Sequence, residues 1–114
     1  MGRAIALLLG LLLAVEAPAV TTGTELLKAC SSEAEDTASF DRGVCNGYVG
    51  AVFDMMSNYR IAGLRACFPV NVTRGELISA FHDYLREHSG VLHLSAYTNL
   101  ASALALAYPC STQR

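Results

Sequence analysis

The chain has almost no lysine: Lys28 is the only one in 114 residues, and the formal net charge is −2. General affinity for nucleic acid or anionic lipid needs clustered Lys and Arg, so neither is expected as a partner. The one long apolar run, Ala4 to Val15, is about a dozen residues, short of the roughly 20 that a spanning helix requires. No cysteine follows that run closely enough to be a lipidated N-terminus. Nor do any two cysteines lie within the short gap used by structural zinc sites. No pair among His82, His88 and His93 has the i, i+4 spacing that puts two imidazoles on one helix face. Glycine-rich phosphate loops, internal repeats and low-complexity stretches are absent. His82 and Asp83 are adjacent, so on a helix they point roughly 100° apart. Glu76 and Asp83 share a face, but nothing else assembles an acid/base site around them. The expectation is a protein without cofactor or metal, and not an enzyme.

What is present at the N-terminus is an export signal. Met1-Gly2-Arg3 carries a positive charge, the apolar run follows, and Ala17-Pro18-Ala19 offers small residues to a signal peptidase. Residues 1–19 are read as a signal peptide cleaved after Ala19, leaving a single domain over 20–114 without a membrane anchor. Cleavage removes Arg3 and Glu16, one charge of each sign, so the net charge is unchanged. Four cysteines, Cys30, Cys45, Cys67 and Cys110, then stand in an oxidising compartment, where an even count reads as two disulfides.

The mature part reads as helices. Thr22 and Glu25 have capping-box spacing ahead of Leu26-Leu27-Lys28-Ala29. Ser31 to Asp41 is polar and acidic, a loop or a poorly anchored helical turn. Cys45, Tyr48, Val49, Val52, Phe53 and Met56 form a stripe with helical spacing. Gly47 and Gly50 lie beside it, each costing up to about 1 kcal/mol of helix propensity, which close approach by another helix would offset. Thr73 and Glu76 make a second capping box. It opens a helix with Leu77, Ile78, Phe81, Tyr84 and Leu85 inside and His88 in the last turn, where a cation suits the dipole. A fourth helix carries Leu94, Tyr97, Leu100, Ala101, Leu104 and Tyr108 on its stripe, and Pro109 stops it.

The predicted fold class is therefore all-α, a compact bundle of about four helices with two disulfides. A short break joins the third and fourth helices, so they should pack antiparallel and bring Cys110 back towards Cys67. Four cysteines allow three pairings; this layout favours Cys67–Cys110 and the local Cys30–Cys45. In the loop-entropy model these closures stabilise by roughly 4 and 3 kcal/mol. The tyrosines and Met55-Met56 are read mainly as core. Met55 and Tyr59 share a different face from the stripe, and the lesser reading makes them an adaptable surface for a partner.

Several segments follow one order: Cys45-Asn46-Gly47-Tyr48-Val49-Gly50, Cys67-Phe68-Pro69, Phe81-His82-Asp83-Tyr84-Leu85-Arg86-Glu87-His88, and Ala103 to Cys110 ending in Tyr-Pro-Cys. In these the chain resembles the Rap/Tai-type immunity proteins, which protect bacteria from the peptidoglycan amidase effectors of type VI secretion. The resemblance covers about Leu26 to Cys110. Family members often carry Pro after the His of the third helix, where this chain has Ser89-Gly90. The resemblance implies a periplasmic, helical, disulfide-bonded protein that binds an amidase and blocks its cleft, often as a homodimer. The matching residues look like scaffold, not like the inhibitory surface.

Steric occlusion needs residues projecting from a braced body, and two segments qualify. One is Ser31 to Asp41 with Glu33, Glu35 and Asp36. The other is Asn58 to Arg65 with Asn58, Tyr59, Arg60 and Arg65, favoured because Tyr and Arg predominate at binding hot spots. The alternative function is a periplasmic acid-stress-type chaperone or other small exported binding protein. Three histidines and nine mature acids are a modest supply of titratable groups for an acid-released interface.

Overall fold

A computed structural model of the chain describes residues 20–31 and 35–111. The expected signal peptide, 1–19, lies outside the described residues. Four helices follow in order: α1 (Gly23–Ser31), α2 (Glu35–Met56), α3 (Arg74–Glu87) and α4 (Ala96–Ala107), with a 3₁₀ turn at Ser89–Val91. Both capping boxes form. Thr22 N donates to Glu25 Oε2 at 2.8 Å and Glu25 N to Thr22 Oγ1 at 3.2 Å. Glu76 N donates to Thr73 Oγ1 at 3.2 Å and Thr73 N to Glu76 Oε2 at 2.9 Å. His88 closes α3: its N–H donates to Tyr84 O, its Nδ1 lies 2.9 Å from the same oxygen, and its ring stacks on Tyr84 at 4.2 Å. At Ser89-Gly90 the 3₁₀ turn replaces a direct helix-to-helix link.

α1 packs on α2 and α4, and α3 on α4, with α2 touching both α3 and α4. The core joins Leu26 of α1, Cys45, Val49, Val52 and Met56 of α2, Leu77, Phe81 and Leu85 of α3, and Leu100 and Leu104 of α4. The α2 and α3 stripes are thus those read from the 3.6-residue spacing. Cys30–Cys45 ties α1 to α2, and Cys67–Cys110 ties the α2–α3 connection to the end of α4, across 15 and 43 residues of chain.

Four expectations are settled or corrected. α2 begins at Glu35, so of the two readings of Ser31–Asp41, loop or poorly anchored helical turn, the helical one holds from Glu35 onward, as part of a 22-residue helix. Glu35 and Asp36 fall in its first turn, and the Cys30–Cys45 bridge ties α2 to α1. On α4, Leu94 and Tyr97 are exposed at 42% and 48%. Leu94 precedes the helix; Leu100, Ala101 and Leu104 of the expected stripe are buried, and Ala96, Asn99 and Ala103 complete the inward face. Gly47 meets nothing, and Gly50 is covered by the guanidinium of Arg74, which also donates to Asn46 O, not by a helix backbone. Finally, Met55 and Tyr59 are exposed at 52% and 69%, so they are surface and not core.

Residues 21–24 are stitched to the α3–α4 connection. Gly23 N donates to Leu94 O at 2.9 Å, Thr24 N to Leu92 O at 3.0 Å, and Ala96 N to Thr21 O at 2.7 Å. Asn99, buried within the core, donates from Nδ2 to Val91 O at 2.9 Å and Leu94 O at 3.4 Å.

Candidate partner-binding site

The connection between α2 and α3 is not slack. α2 ends where Ser57 N donates to Phe53 O at 2.9 Å and Tyr59 N to Met55 O at 2.8 Å. Ile61 and Leu64 then exchange both main-chain bonds, at 3.1 and 2.8 Å, around a two-residue turn. Ala62 and Gly63 both have positive φ, 51° and 78°, as a type I′ hairpin turn demands. Gly63 accepts that conformation freely; Ala62 does so against its Cβ. Ile61 and Ala66 are buried and pin the hairpin to the bundle.

Its far end is held more firmly still. Cys67 N donates to Tyr108 O at 2.8 Å beside the Cys67–Cys110 bridge. Phe68 lies between Phe53 and Tyr108, with ring centroids 4.7 and 5.3 Å away. Burial first and the Glu76 carboxylate second push the Tyr108 phenol above its ordinary range, so this aromatic end stays neutral.

Under the hairpin is a depression of about 500 Å³. Met56, Ala66 and Phe68 supply its apolar surface; Asn58, Tyr59, Arg60 and Arg65 line it with polar groups. Beyond Arg60 lies a second, smaller hollow of about 380 Å³ against Ala51, Met55 and Tyr97. The one ion pair among the described residues, Arg86 with Asp83 at 2.6 Å, is on α3 and far along the chain from this loop. Arg60 instead turns back to Gly63 O at 3.5 Å, a long and weak contact.

The fold therefore brings Asn58, Tyr59, Arg60 and Arg65 together. Glu33 lies outside the described residues. Glu35 and Asp36 start α2 while the hairpin follows its other end. At 1.5 Å per residue the two segments are roughly 30 Å apart and cannot form one surface. Of the floor residues, the spacing puts Met56 in the α2 core stripe and the resemblance takes Phe68 as part of a family motif; neither they nor Ala66 are expected at the site. The available signal was the Ala62-Gly63 pair between apolar Ile61 and Leu64, which is a hairpin pattern.

Among the described residues no helix is long and apolar enough to cross a membrane. No significant match to this chain was found among curated proteins or among solved structures. A sequence model of the family described as Rap1a immunity proteins, in contrast, matches residues 22–110. That span opens at the Thr22 cap and closes at Cys110, taking in all four helices and both bridges just described, and the chain belongs to the Rap1a immunity protein family.

Proposed function

We propose that the mature chain, exported to the periplasm after cleavage near Ala19, binds a type VI secretion peptidoglycan amidase and blocks its substrate cleft. Membership of an immunity family supports a protein effector as partner and an inhibitor's role in place of an enzyme's. The observation that carries the mechanism is the rigid hairpin: a tight turn, pinned by Ile61 and Ala66 and braced by Cys67–Cys110, that holds Tyr59 and Arg60 exposed. An occluding loop must keep its shape when pushed into a groove, because ordering it on binding would cost affinity. The test is hydrolysis of purified peptidoglycan by a type VI amidase from the same genome. Equimolar oxidised protein should abolish it; undiminished hydrolysis by every such amidase would reject the reading.

The reading includes a homodimer. Phe40, Val44, Gly47, Ala51 and Met55 recur at helical spacing along one exposed face of α2, which Asp54 borders. Small residues at its centre leave room for a second helix. Light scattering should give twice the mature mass, and Met55→Asp should return it to the monomer value.

A further inference from the structure

The hairpin has a charge pattern that its own stability does not require. Between Asp54 and Glu76 the chain contains no acid, yet it holds Arg60, Arg65 and Arg74 in a protein of net charge −2. Arg74 is engaged on the carbonyl of Asn46. Arg60 makes only the long, weak contact to Gly63 O, and neither Arg60 nor Arg65 forms an ion pair among the described residues. Ile61 and Leu64 form the one hydrogen-bonded pair of the turn, and Arg60 and Arg65 flank it directly on either side. Two like charges gathered at one tight turn gain nothing for its stability, and an acid at either position would have offset the other. Both arginines are exposed, and both line the same depression.

We propose that this depression is a receptor for a carboxylate side chain, Glu or Asp, presented by the partner protein, with Arg60 and Arg65 as its two guanidinium arms. This deepens the inhibitor reading of the hairpin and rests on it for the partner's identity. A carboxylate offers each guanidinium a planar acceptor pair and removes the repulsion between them on arrival. The surface from Met56, Ala66 and Phe68 suits the methylenes that carry an acidic side chain, which a free phosphate lacks. Asn58 and Tyr59 stand at the same depression with further hydrogen-bonding groups. The partner surface facing the hairpin is therefore acidic.

The experiment needs no knowledge of the effector. Arginine Nε–Hε resonances of the ¹⁵N-labelled, oxidised, exported protein are followed while a blocked tetrapeptide containing two Glu residues is added. Arg60 and Arg65 should shift saturably in the millimolar range, and Arg42 and Arg86, also exposed, should shift at least about fivefold less. The matching Gln peptide should have little effect, and Arg60→Gln with Arg65→Gln should abolish the response in a protein with unchanged circular dichroism. Equal shifts at Arg42, an equal response to the Gln peptide, or stronger shifts with inorganic phosphate would each overturn the proposal. Once an inhibited amidase is in hand, Arg60→Glu with Arg65→Glu should weaken binding at least about tenfold more than the two alanine changes. If wild-type protein inhibits no amidase but the peptide titration succeeds, the inhibitor reading fails and the carboxylate receptor stands.

Discussion

Gly23 and Asn99 occupy each other's space. A β-carbon added at Gly23 would lie 3.0 Å from Leu92 O, 3.3 Å from Asn99 Cγ, and closer still to Asn99 Nδ2. That amide is held in place, because Asn99 is buried and its Nδ2 donates to Val91 O and Leu94 O. Gly23→Ala should therefore destabilise by about 1–3 kcal/mol, and Asn99→Ala by a similar amount through the two side-chain bonds lost and the cavity left at a buried position. Urea denaturation checks both; a wild-type midpoint for Gly23→Ala would mean that α1 does not dock as described.

Gly50 should behave oppositely, although it too is buried and crowded. The atoms over it are the tip of the flexible Arg74 side chain, which can swing into solvent. Gly50→Ala loses the Arg74 bond to Asn46 O and gains up to about 1 kcal/mol of helix propensity. The expected stability is within about 1 kcal/mol of wild type. A loss of several kcal/mol in the same denaturation assay would show that the guanidinium is fixed.

Ala62 sits at φ 51°, in the left-handed region that a type I′ turn imposes. Asn tolerates that region better than Ala and is favoured before Gly in such turns. Ala62→Asn should stabilise by roughly 0.5–1 kcal/mol, read as a rise in melting temperature. A fall would show that the turn is of another type.

Stability at alkaline pH should fall in part through Tyr48. Burial raises its phenol above the ordinary value of 10.0, with the Tyr97 main chain pulling the other way. The folded state thus holds this proton more tightly than the unfolded chain. The resulting stabilisation is fully present below the unfolded value and is lost as pH rises through the folded one. Tyr48→Phe should flatten the decline in urea midpoint above about pH 10 relative to wild type. Parallel curves would remove Tyr48 from the account.

Replacing Tyr59 and Arg60 together by Ala should weaken binding to the inhibited amidase by at least about 2 kcal/mol while the fold is unchanged. Calorimetric titration measures it, with circular dichroism as control. Unchanged affinity would move the contact to the exposed α2 face or to the first turn of α2.

Sequence alone determined the helical class, the two capping boxes, the α2 and α3 stripes and the favoured disulfide pairing. The class, caps and stripes rest on interactions within about four residues or on a periodicity that repeats along one element, and the pairing on a short helix-to-helix break that requires antiparallel packing. It also placed Asn58, Tyr59, Arg60 and Arg65 in one segment, because they are neighbours in the chain. Tertiary structure decided what neighbourhood in the chain cannot. Leu94 and Tyr97 fit an apolar stripe by spacing, yet the buried face keeps only Leu100, Ala101 and Leu104 of it and adds Ala96, Asn99 and Ala103. Gly50 looked like a helix contact and proved to lie under an arginine 24 positions away. The hollow beneath the hairpin exists only because Cys67–Cys110 and the Phe53–Phe68–Tyr108 stack bring the ends of α2 and α4 together. Which faces meet, and which side chains are left to face a partner, depends on contacts between segments far apart in the chain, and no local pattern encodes them.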